Sequence, residues 1–180
     1  LDQARSPDGW GYAVFGKVIG GGLPIGAVGG SRQIMETLSP LGPVFHAGTL
    51  SGNPIATAAG LAALNLLDAD VYSLLSDRAQ RFSSVMSDAC ASAGFDASFP
   101  VVGTLVGMVC GDHGPAHNFN DAKQTDEAAY ARFFHAMLAE GVAMAPGAYE
   151  AIFVGIAHTD GVIDQIAERA YRSAIAAATA

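Results

Sequence analysis

The chain has 180 residues, 51% of them hydrophobic and 14% charged, with a formal net charge of −8 and a pI of about 4.8. Its length suits one ordinary domain or two small ones. The negative charge and the lack of a basic stripe argue against a nucleic acid or another polyanion as a partner. The apolar excess predicts that part of the surface is covered by a partner or by further chain.

The cysteines, histidines and apolar runs exclude further classes. Cys90 and Cys110 are far apart in the sequence, and His113 and His117 lie in a Gly/Pro/Asn loop, so we expect neither disulfides nor a metal site. No apolar run reaches the roughly 20 residues that span a bilayer, and the N-terminus carries no signal-peptide pattern. The sequence thus favours a reducing, cytoplasmic location without a membrane partner. Because it begins at Leu1 rather than at methionine, we also expect a fragment or a processed piece.

The first 30 residues are predicted to form loops and short strands. Residues 1–11 are polar and rich in turn formers, and the apolar run Tyr12–Phe15 is typical of a strand. The three glycines at 20–22 stabilise neither a helix nor a strand, so they indicate unusual dihedrals or a close backbone approach. A second short strand is expected over residues 23–28, ended by two further glycines.

Three helices are predicted next. The first, over residues 32–38, is expected to be capped by Ser31. The second follows Asn53 and runs to about Leu67. It is apolar on all sides, which predicts burial on every side. The third, over residues 71–93, is amphipathic and ends at a glycine.

Strands and helices alternate in the rest of the chain. The predicted elements are a strand over 101–110, a polar loop over 111–125, a helix over 126–140 capped by Thr125 or Asp126, short strands near 142 and over 153–157, and a last helix from 160 to about 177. The whole pattern indicates a piece of an α/β domain, then a long connecting helix, then a small α+β unit.

Lys17 has the most distinctive context of any polar side chain. It precedes two apolar residues and three glycines, and it is one of only two lysines in the chain. A lysine that forms a Schiff base must lose its proton, which an apolar site favours, and it must lie where a cofactor can approach the backbone. The context fits that role, but the residues alone leave open a surface lysine in a loop.

The segment over residues 15–27, FGKVIGGGLPIGA, resembles the lysine segment of the class III aminotransferase family, of pyridoxal-phosphate fold type I. Residues 47–54 and 145–151 are similar to later segments of the same family, and the likeness extends from about residue 12 to the end. The resemblance implies that Lys17 is catalytic and binds pyridoxal 5′-phosphate as a Schiff base.

The resemblance also implies the fold. It is an α/β fold, the C-terminal part of a pyridoxal-phosphate-dependent transferase of fold type I. Residues 1–68 would form the C-terminal part of the large cofactor-binding domain, and residues 69–180 would form the small C-terminal α+β domain. The family's chains are much longer, and what is missing is the N-terminal majority. We therefore expect this isolated chain to be inactive as an enzyme, with the rest removed, disordered or carried on another chain.

Gly48 and Thr49 form a second candidate site. A threonine hydroxyl and backbone N–H groups beside a glycine can hold a phosphate, although the residues alone favour a plain loop before a capped helix. In similar enzymes this threonine reaches the phosphate of the neighbouring subunit's cofactor. The resemblance thus implies that Gly48 and Thr49 bind the cofactor, in a homodimer whose phosphate sites are shared across the interface.

Glu150 is the third candidate. It lies in an otherwise apolar stretch, residues 143–156, where an unpaired carboxylate is costly. The residues alone leave an exposed turn equally open. In aminomutases of the family a glutamate at the matching position lines the active site, so the resemblance implies a catalytic role for Glu150.

Within the family the likeness is greatest to the aminomutases, which move an amino group within one molecule. The resemblance implies that the small-molecule substrate is the amino aldehyde (S)-4-amino-5-oxopentanoate and the product 5-aminolevulinate, in tetrapyrrole (porphyrin) biosynthesis. The pyridoxamine 5′-phosphate form would donate the amino group, and Lys17 would shuttle the proton.

Two alternatives remain. One is a class III aminotransferase that moves an amino group from an amine or a β-amino acid to a keto acid. Many such relatives bind the acceptor's carboxylate with an arginine, whereas the arginines near this C-terminus all fall on predicted helices. The other is a non-catalytic fragment that only dimerises.

Overall fold

The computed structural model describes residues 11–112 and 116–179. The chain divides into two compact units, Leu1–Asp68 and Ala69–Ala180. Residues 1–10 of the loop predicted over 1–11, and His113, lie outside the described residues.

The first unit opens with a two-stranded antiparallel ribbon. Strand β1 (Tyr12–Phe15) pairs with β2 (Ala27–Gly30), so the predicted first strand is confirmed. The predicted second strand is confirmed, but its bounds of 23–28 are wrong, since the strand covers residues 27–30. Residues 23–26 bring the chain back from a turn, and pairing begins only where Ala27 lies opposite Phe15. The two glycines expected to end this strand are part of it.

Helices α1 (Arg32–Met35) and α2 (Pro54–Asn65) begin where predicted. The caps are confirmed: Ser31 Oγ accepts from Ile34 N at 3.4 Å, and Asn53 Oδ1 accepts from Ala56 N at 3.0 Å. Helix α1 is shorter than predicted because the chain leaves it through a tighter turn, in which the next backbone N–H groups bond three residues back rather than four.

The prediction that α2 is buried on every side is wrong for the described residues. Only Ala56 and Gly60 are buried, whereas Ile55 is 72% exposed and Leu61 is 61% exposed. The physical reason is that one face alone of α2 packs in this unit, against the turn that begins at Lys17.

The second unit packs three helices against short strands. Helix α3 (Ala69–Ser92) and the last helix, α6 (Asp160–Thr179), pack on each other, and α5 (Glu127–Ala139) packs on α6. All three helices are confirmed. The fully buried side chains at their centre include Met86, Phe133, Met137 and Ile163.

The strands of this unit form two small antiparallel sheets. Strand β3 (Ala97–Ser98) pairs with β6 (Val109–Cys110), and β5 (Leu105–Val106) lies between β4 (Val101–Val102) and β7 (Ile152–Phe153). The single strand predicted over 101–110 is therefore wrong. Gly103 turns the chain between β4 and β5 with a φ of +61°, which a glycine adopts at little cost.

Three smaller corrections concern the loops. Residues around 142 form no strand, and β7 is shorter than predicted because only two of its residues lie opposite β5. The predicted polar loop over 111–125 contains a short helix, α4 (Phe119–Ala122). Asp126 caps α5, with Oδ1 2.9 Å from Ala129 N, whereas Thr125 Oγ1 accepts from Cys110 N instead.

No helix in the described ranges is by itself long and apolar enough to cross a membrane. Only the consecutive pair α2 and α3, interrupted at residues 66–68, passes such a test when the two are taken together.

Candidate functional site

Lys17 begins a 3-10 turn, Lys17–Gly20, that follows β1 directly. Its φ is +56°, and it is the only non-glycine residue with positive φ in the part of the chain that the structure describes. The left-handed region costs an ordinary L-residue roughly 1–2 kcal/mol. Backbone strain at a position that glycine could occupy at little cost is typical of a functional residue.

Glycines allow helix α2 to pack closely against this turn. Gly21 has a φ of +58°, and a Cβ there would lie 2.4 Å from the backbone oxygen of Ala59 in α2. A Cβ on Gly20 would lie 2.6 Å from the Ile25 side chain. The expectation of a close backbone approach with unusual dihedrals at the three glycines is thereby confirmed.

Two open depressions lie beside the turn. The first is lined by Lys17 together with Val18 and residues 22–25. The second shares Pro24 and Ile25 and continues to Gly48 and the two residues after Thr49. Lys17 and Gly48 therefore lie on either side of the same short segment, so the first unit brings the two candidate regions together.

The loop at Gly48 is a tight turn. Ser51 N donates to Gly48 O at 3.0 Å, and a Cβ on Gly48 would lie 2.6 Å from Ser51 Oγ, so the Ser51 side chain would have to rotate to admit a larger residue. Thr49 is exposed. Within the described ranges, no hydrogen bond engages the Thr49 hydroxyl or the backbone N–H groups of Gly48 and Thr49. These donors are free to receive an anion.

Glu150 lies in the second unit and is exposed. Its backbone N–H donates to Gly147 O at 3.2 Å, and a Cβ on Gly147 would lie 3.1 Å from Glu150 Oε1. The side chain borders a depression that is also lined by Phe119 and Tyr149. The carboxylate is thus available to a ligand.

The sequence reasoning missed two tyrosines near Glu150. Tyr130 OH donates to Ala145 O at 2.6 Å, and Tyr149 OH donates to Glu127 Oε1 at 2.7 Å. The one sequence signal was the spacing of Glu127 and Tyr130, which places both on one face of a helix. Nothing in the sequence indicated their partners.

Comparison with known proteins places the chain in a family. A family model described as "Aminotransferase class-III" matches residues 7–166. The chain is 46% identical over 152 residues to a glutamate-1-semialdehyde 2,1-aminomutase of Dichelobacter nodosus, covering 84% of this chain and 36% of that protein. It is 42% identical over 164 residues to the protein of the same name in Cutibacterium acnes, covering 91% and 38%. The chain thus spans little more than a third of these curated relatives.

Solved structures confirm the α/β fold of this family. A transaminase with bound pyridoxal phosphate matches with a TM-score of 0.76 at 25% identity, covering 94% of this chain and 39% of that one. A β-phenylalanine aminotransferase from Variovorax paradoxus matches with a TM-score of 0.75 at 26% identity, covering 89% and 37%. A glutamate-1-semialdehyde-aminomutase from Pseudomonas aeruginosa PAO1 matches with a TM-score of 0.69 at 19% identity, covering 90% and 38%, and shows the fold alone.

Proposed function

The chain belongs to the class-III aminotransferase family, and we propose that it is part of a pyridoxal-phosphate enzyme that isomerises (S)-4-amino-5-oxopentanoate to 5-aminolevulinate. One observation carries this proposal. The chain is 42–46% identical to three proteins named glutamate-1-semialdehyde 2,1-aminomutase, over 84% or more of its length. Three transaminases of known structure match it at 25–26% identity.

The residues of the first unit fit pyridoxal 5′-phosphate. Lys17 lines an open depression, the adjacent glycines leave room for close backbone contact, and Gly48 and Thr49 offer donors for a phosphate that have no partner among the described residues. When bound, the cofactor supplies an electron sink for the substrate and, in its pyridoxamine form, the amino group that is transferred.

Lys17 has two tasks in this proposal. Its Nζ would bind the cofactor covalently and, once released, would carry a proton between the substrate carbon and the cofactor's C4′ carbon. For both tasks the amine must be neutral. The apolar side chains of Val18, Leu23 and Ile25 border the same depression. Because Lys17 is exposed in the described residues, the rest of the enzyme would complete this apolar environment.

We further propose a homodimer in which Thr49 binds the phosphate of the neighbouring subunit's cofactor. Its hydroxyl and N–H have no partner within the described ranges, so they can point outward to another chain. Large apolar side chains around this loop are exposed and favour a covering protein surface. They include Leu41 (77%), Phe45 (80%), Leu50 (62%) and Ile55 (72%).

Glu150 would line the substrate site and contact the substrate's polar groups. Its exposed carboxylate and its position beside an apolar depression support this role. An exposed carboxylate beside a partly apolar depression can contact a small polar ligand that enters it.

The three arginines nearest the C-terminus favour the aminomutase over an intermolecular aminotransferase. An aminotransferase that uses a keto acid needs a cation for the acceptor's carboxylate. Three candidates are engaged elsewhere: Arg132 Nε donates to Ala177 O at 2.9 Å, Arg169 Nη1 donates to Glu140 O at 2.9 Å, and Arg172 pairs with the Glu140 carboxylate at 2.6 Å. All three lie on helices, as predicted.

The third reading is a non-catalytic fragment that only dimerises. The strained Lys17 argues against it, because a site without function has no reason to keep a lysine at positive φ. This chain alone would still be inactive, since it spans little more than a third of its curated relatives.

A cytoplasmic location is part of the proposal. Cys90 and Cys110 are free and buried, and burial raises the pKa of both thiols to about 12.

The test uses the intact gene product that carries this chain, loaded with pyridoxamine 5′-phosphate. Incubated with glutamate-1-semialdehyde and no keto acid, it is expected to form 5-aminolevulinate, because an aminomutase exchanges amino groups only between substrate and cofactor and needs no external acceptor. The Lys17→Ala variant serves as the inactive control. Amino transfer that occurs only with an added keto acid would favour the aminotransferase and contradict the aminomutase.

A further inference from the structure

The segment that carries Glu150 is not part of any helix or strand. Residues 145–150 are irregular, and one hydrogen bond joins residues within the segment, from Glu150 N to Gly147 O. Backbone with so few internal bonds opens easily. It can hold a carboxylate in one place only if other elements fix it.

Tyr130 fixes the first residue of the segment. Its hydroxyl donates to Ala145 O at 2.6 Å, and the side chain is only 4% exposed. A buried hydroxyl that lost this partner would be left unsatisfied, so the bond strongly favours one position of Ala145. Burial and the nearby Cys110 and Glu150 raise the pKa of Tyr130, so its hydroxyl remains a donor.

Tyr149 fixes the other end of the segment. Its hydroxyl donates to Glu127 Oε1 at 2.7 Å, and its ring lies 6.1 Å from that of Phe119, centroid to centroid. Glu127 and Tyr130 stand one turn apart on α5. One face of one helix therefore contacts the segment at both ends.

The first turn of α5 is itself firmly held. Asp126 N donates to Cys110 O at 2.9 Å, and Cys110 N donates to the buried Thr125 Oγ1 at 2.9 Å. These bonds attach the start of α5 to the edge of β6. The helix thus provides a fixed support rather than a second mobile element.

We propose that Tyr130 and Tyr149 are positioning residues that hold Glu150 in the orientation the reaction requires. Neither tyrosine needs to contact the substrate. Tyr130 holds Ala145 from the protein core, and Tyr149 holds the other end of the segment by its hydrogen bond to Glu127 at the surface. This inference rests on the proposed function, because it gives the orientation of Glu150 a role in that reaction. It adds two hydroxyl groups that the sequence reasoning did not assign.

The first test measures kinetics in the intact gene product. Tyr130→Phe removes one hydroxyl and keeps the ring, so the protein should fold. We expect kcat to fall about threefold to tenfold, with a much smaller change in KM, because a misplaced carboxylate costs most in the transition state. Tyr171→Phe on α6 is the matched control. It removes an exposed hydroxyl with no hydrogen bond among the described residues, and it should leave kcat unchanged.

The second test does not depend on catalytic activity, because it measures how fast a protease cleaves the segment. Chymotrypsin cuts after aromatic residues, and Tyr149 is 47% exposed within the segment. Cleavage between residues 149 and 150 is expected to be about threefold to tenfold faster in Tyr130→Phe than in the wild type or in Tyr171→Phe. Glu127→Ala should also speed it, whereas Glu127→Gln keeps an acceptor oxygen for Tyr149 and should restore the slow rate.

The outcomes separate this inference from the proposed function. Faster cleavage together with a kcat loss in Tyr130→Phe supports the inference. Equal cleavage rates in Tyr130→Phe and the wild type would overturn it, whatever the activity. Faster cleavage without any loss of kcat would overturn the positioning role. A wild-type protein without aminomutase activity would contradict the proposed function, while the cleavage rates would still report whether the segment is anchored.

Discussion

Gly60 in α2 lies against Ile19 so closely that a Cβ on Gly60 would stand 2.0 Å from the Ile19 backbone oxygen. This contact joins the helix to the 3-10 turn that begins at Lys17. The position of the lysine therefore depends on a residue 43 positions away that has no side chain. Any larger residue at position 60 must push the helix and the turn apart.

Gly60→Ala is accordingly expected to lower the stability of the intact gene product by about 1–3 kcal/mol and to weaken cofactor retention. Thermal melting measures the first effect, and the pyridoxal phosphate absorbance that remains after gel filtration measures the second. Gly29→Ala is the matched control, because a Cβ there meets nothing within 4 Å. Equal cofactor retention in both variants would show that the contact does not set the position of Lys17.

The strained backbone at Lys17 predicts an unusual order of stabilities. Lys17→Gly and Lys17→Ala both remove the amine, but only glycine accepts a φ of +56° at little cost. Without cofactor, the glycine variant should be more stable than the alanine variant by about 1 kcal/mol in chemical denaturation. At Lys123, where φ is −64°, the order should reverse. The same order at both lysines would argue against strain at Lys17.

The four elements α2, α3, α5 and α6 could be predicted from the sequence because each carries local signals. Asn53 and Asp126 cap two of them, and Gly94 ends α3 with a φ of +69°. The strands were harder. The run over 101–110 is mostly apolar, and its two glycines did not by themselves show that the chain would fold into separate strands there.

Less of the candidate site could be predicted. The glycines at 20–22 indicated a close approach, yet the partner helix α2 is more than 30 residues away and no local pattern marks such a contact. The positive φ of Lys17 had no signal either, since lysine normally avoids that region. The roles of Lys17, Gly48, Thr49 and Glu150 came from the family resemblance, and they remain proposals.

A further prediction concerns pH. Arg172 hydrogen-bonds the Glu140 carboxylate and holds the pKa of Glu140 below its ordinary value. A carboxyl whose folded pKa is depressed adds stability that is fully present above its unfolded pKa of about 4.3 and is lost as pH falls through the folded pKa. Glu140→Gln should therefore show a smaller loss of melting temperature between neutral pH and about pH 3.

Asp88→Asn is the control for this pH series. Asp88 lies on α3 and makes no ion pair or hydrogen bond among the described residues, so its loss should leave the acid-induced shift unchanged. An unchanged shift in Glu140→Gln would mean that the pair with Arg172 does not hold in solution.

The central claim is that Lys17 is the residue that binds the cofactor, and borohydride reduction tests it most directly. The intact gene product is incubated with pyridoxal 5′-phosphate, reduced, digested and mapped by mass spectrometry. We predict that the peptide containing Lys17 carries the reduced cofactor and that Lys17→Ala abolishes the label. A label on Lys123, or no label at all, would contradict the account.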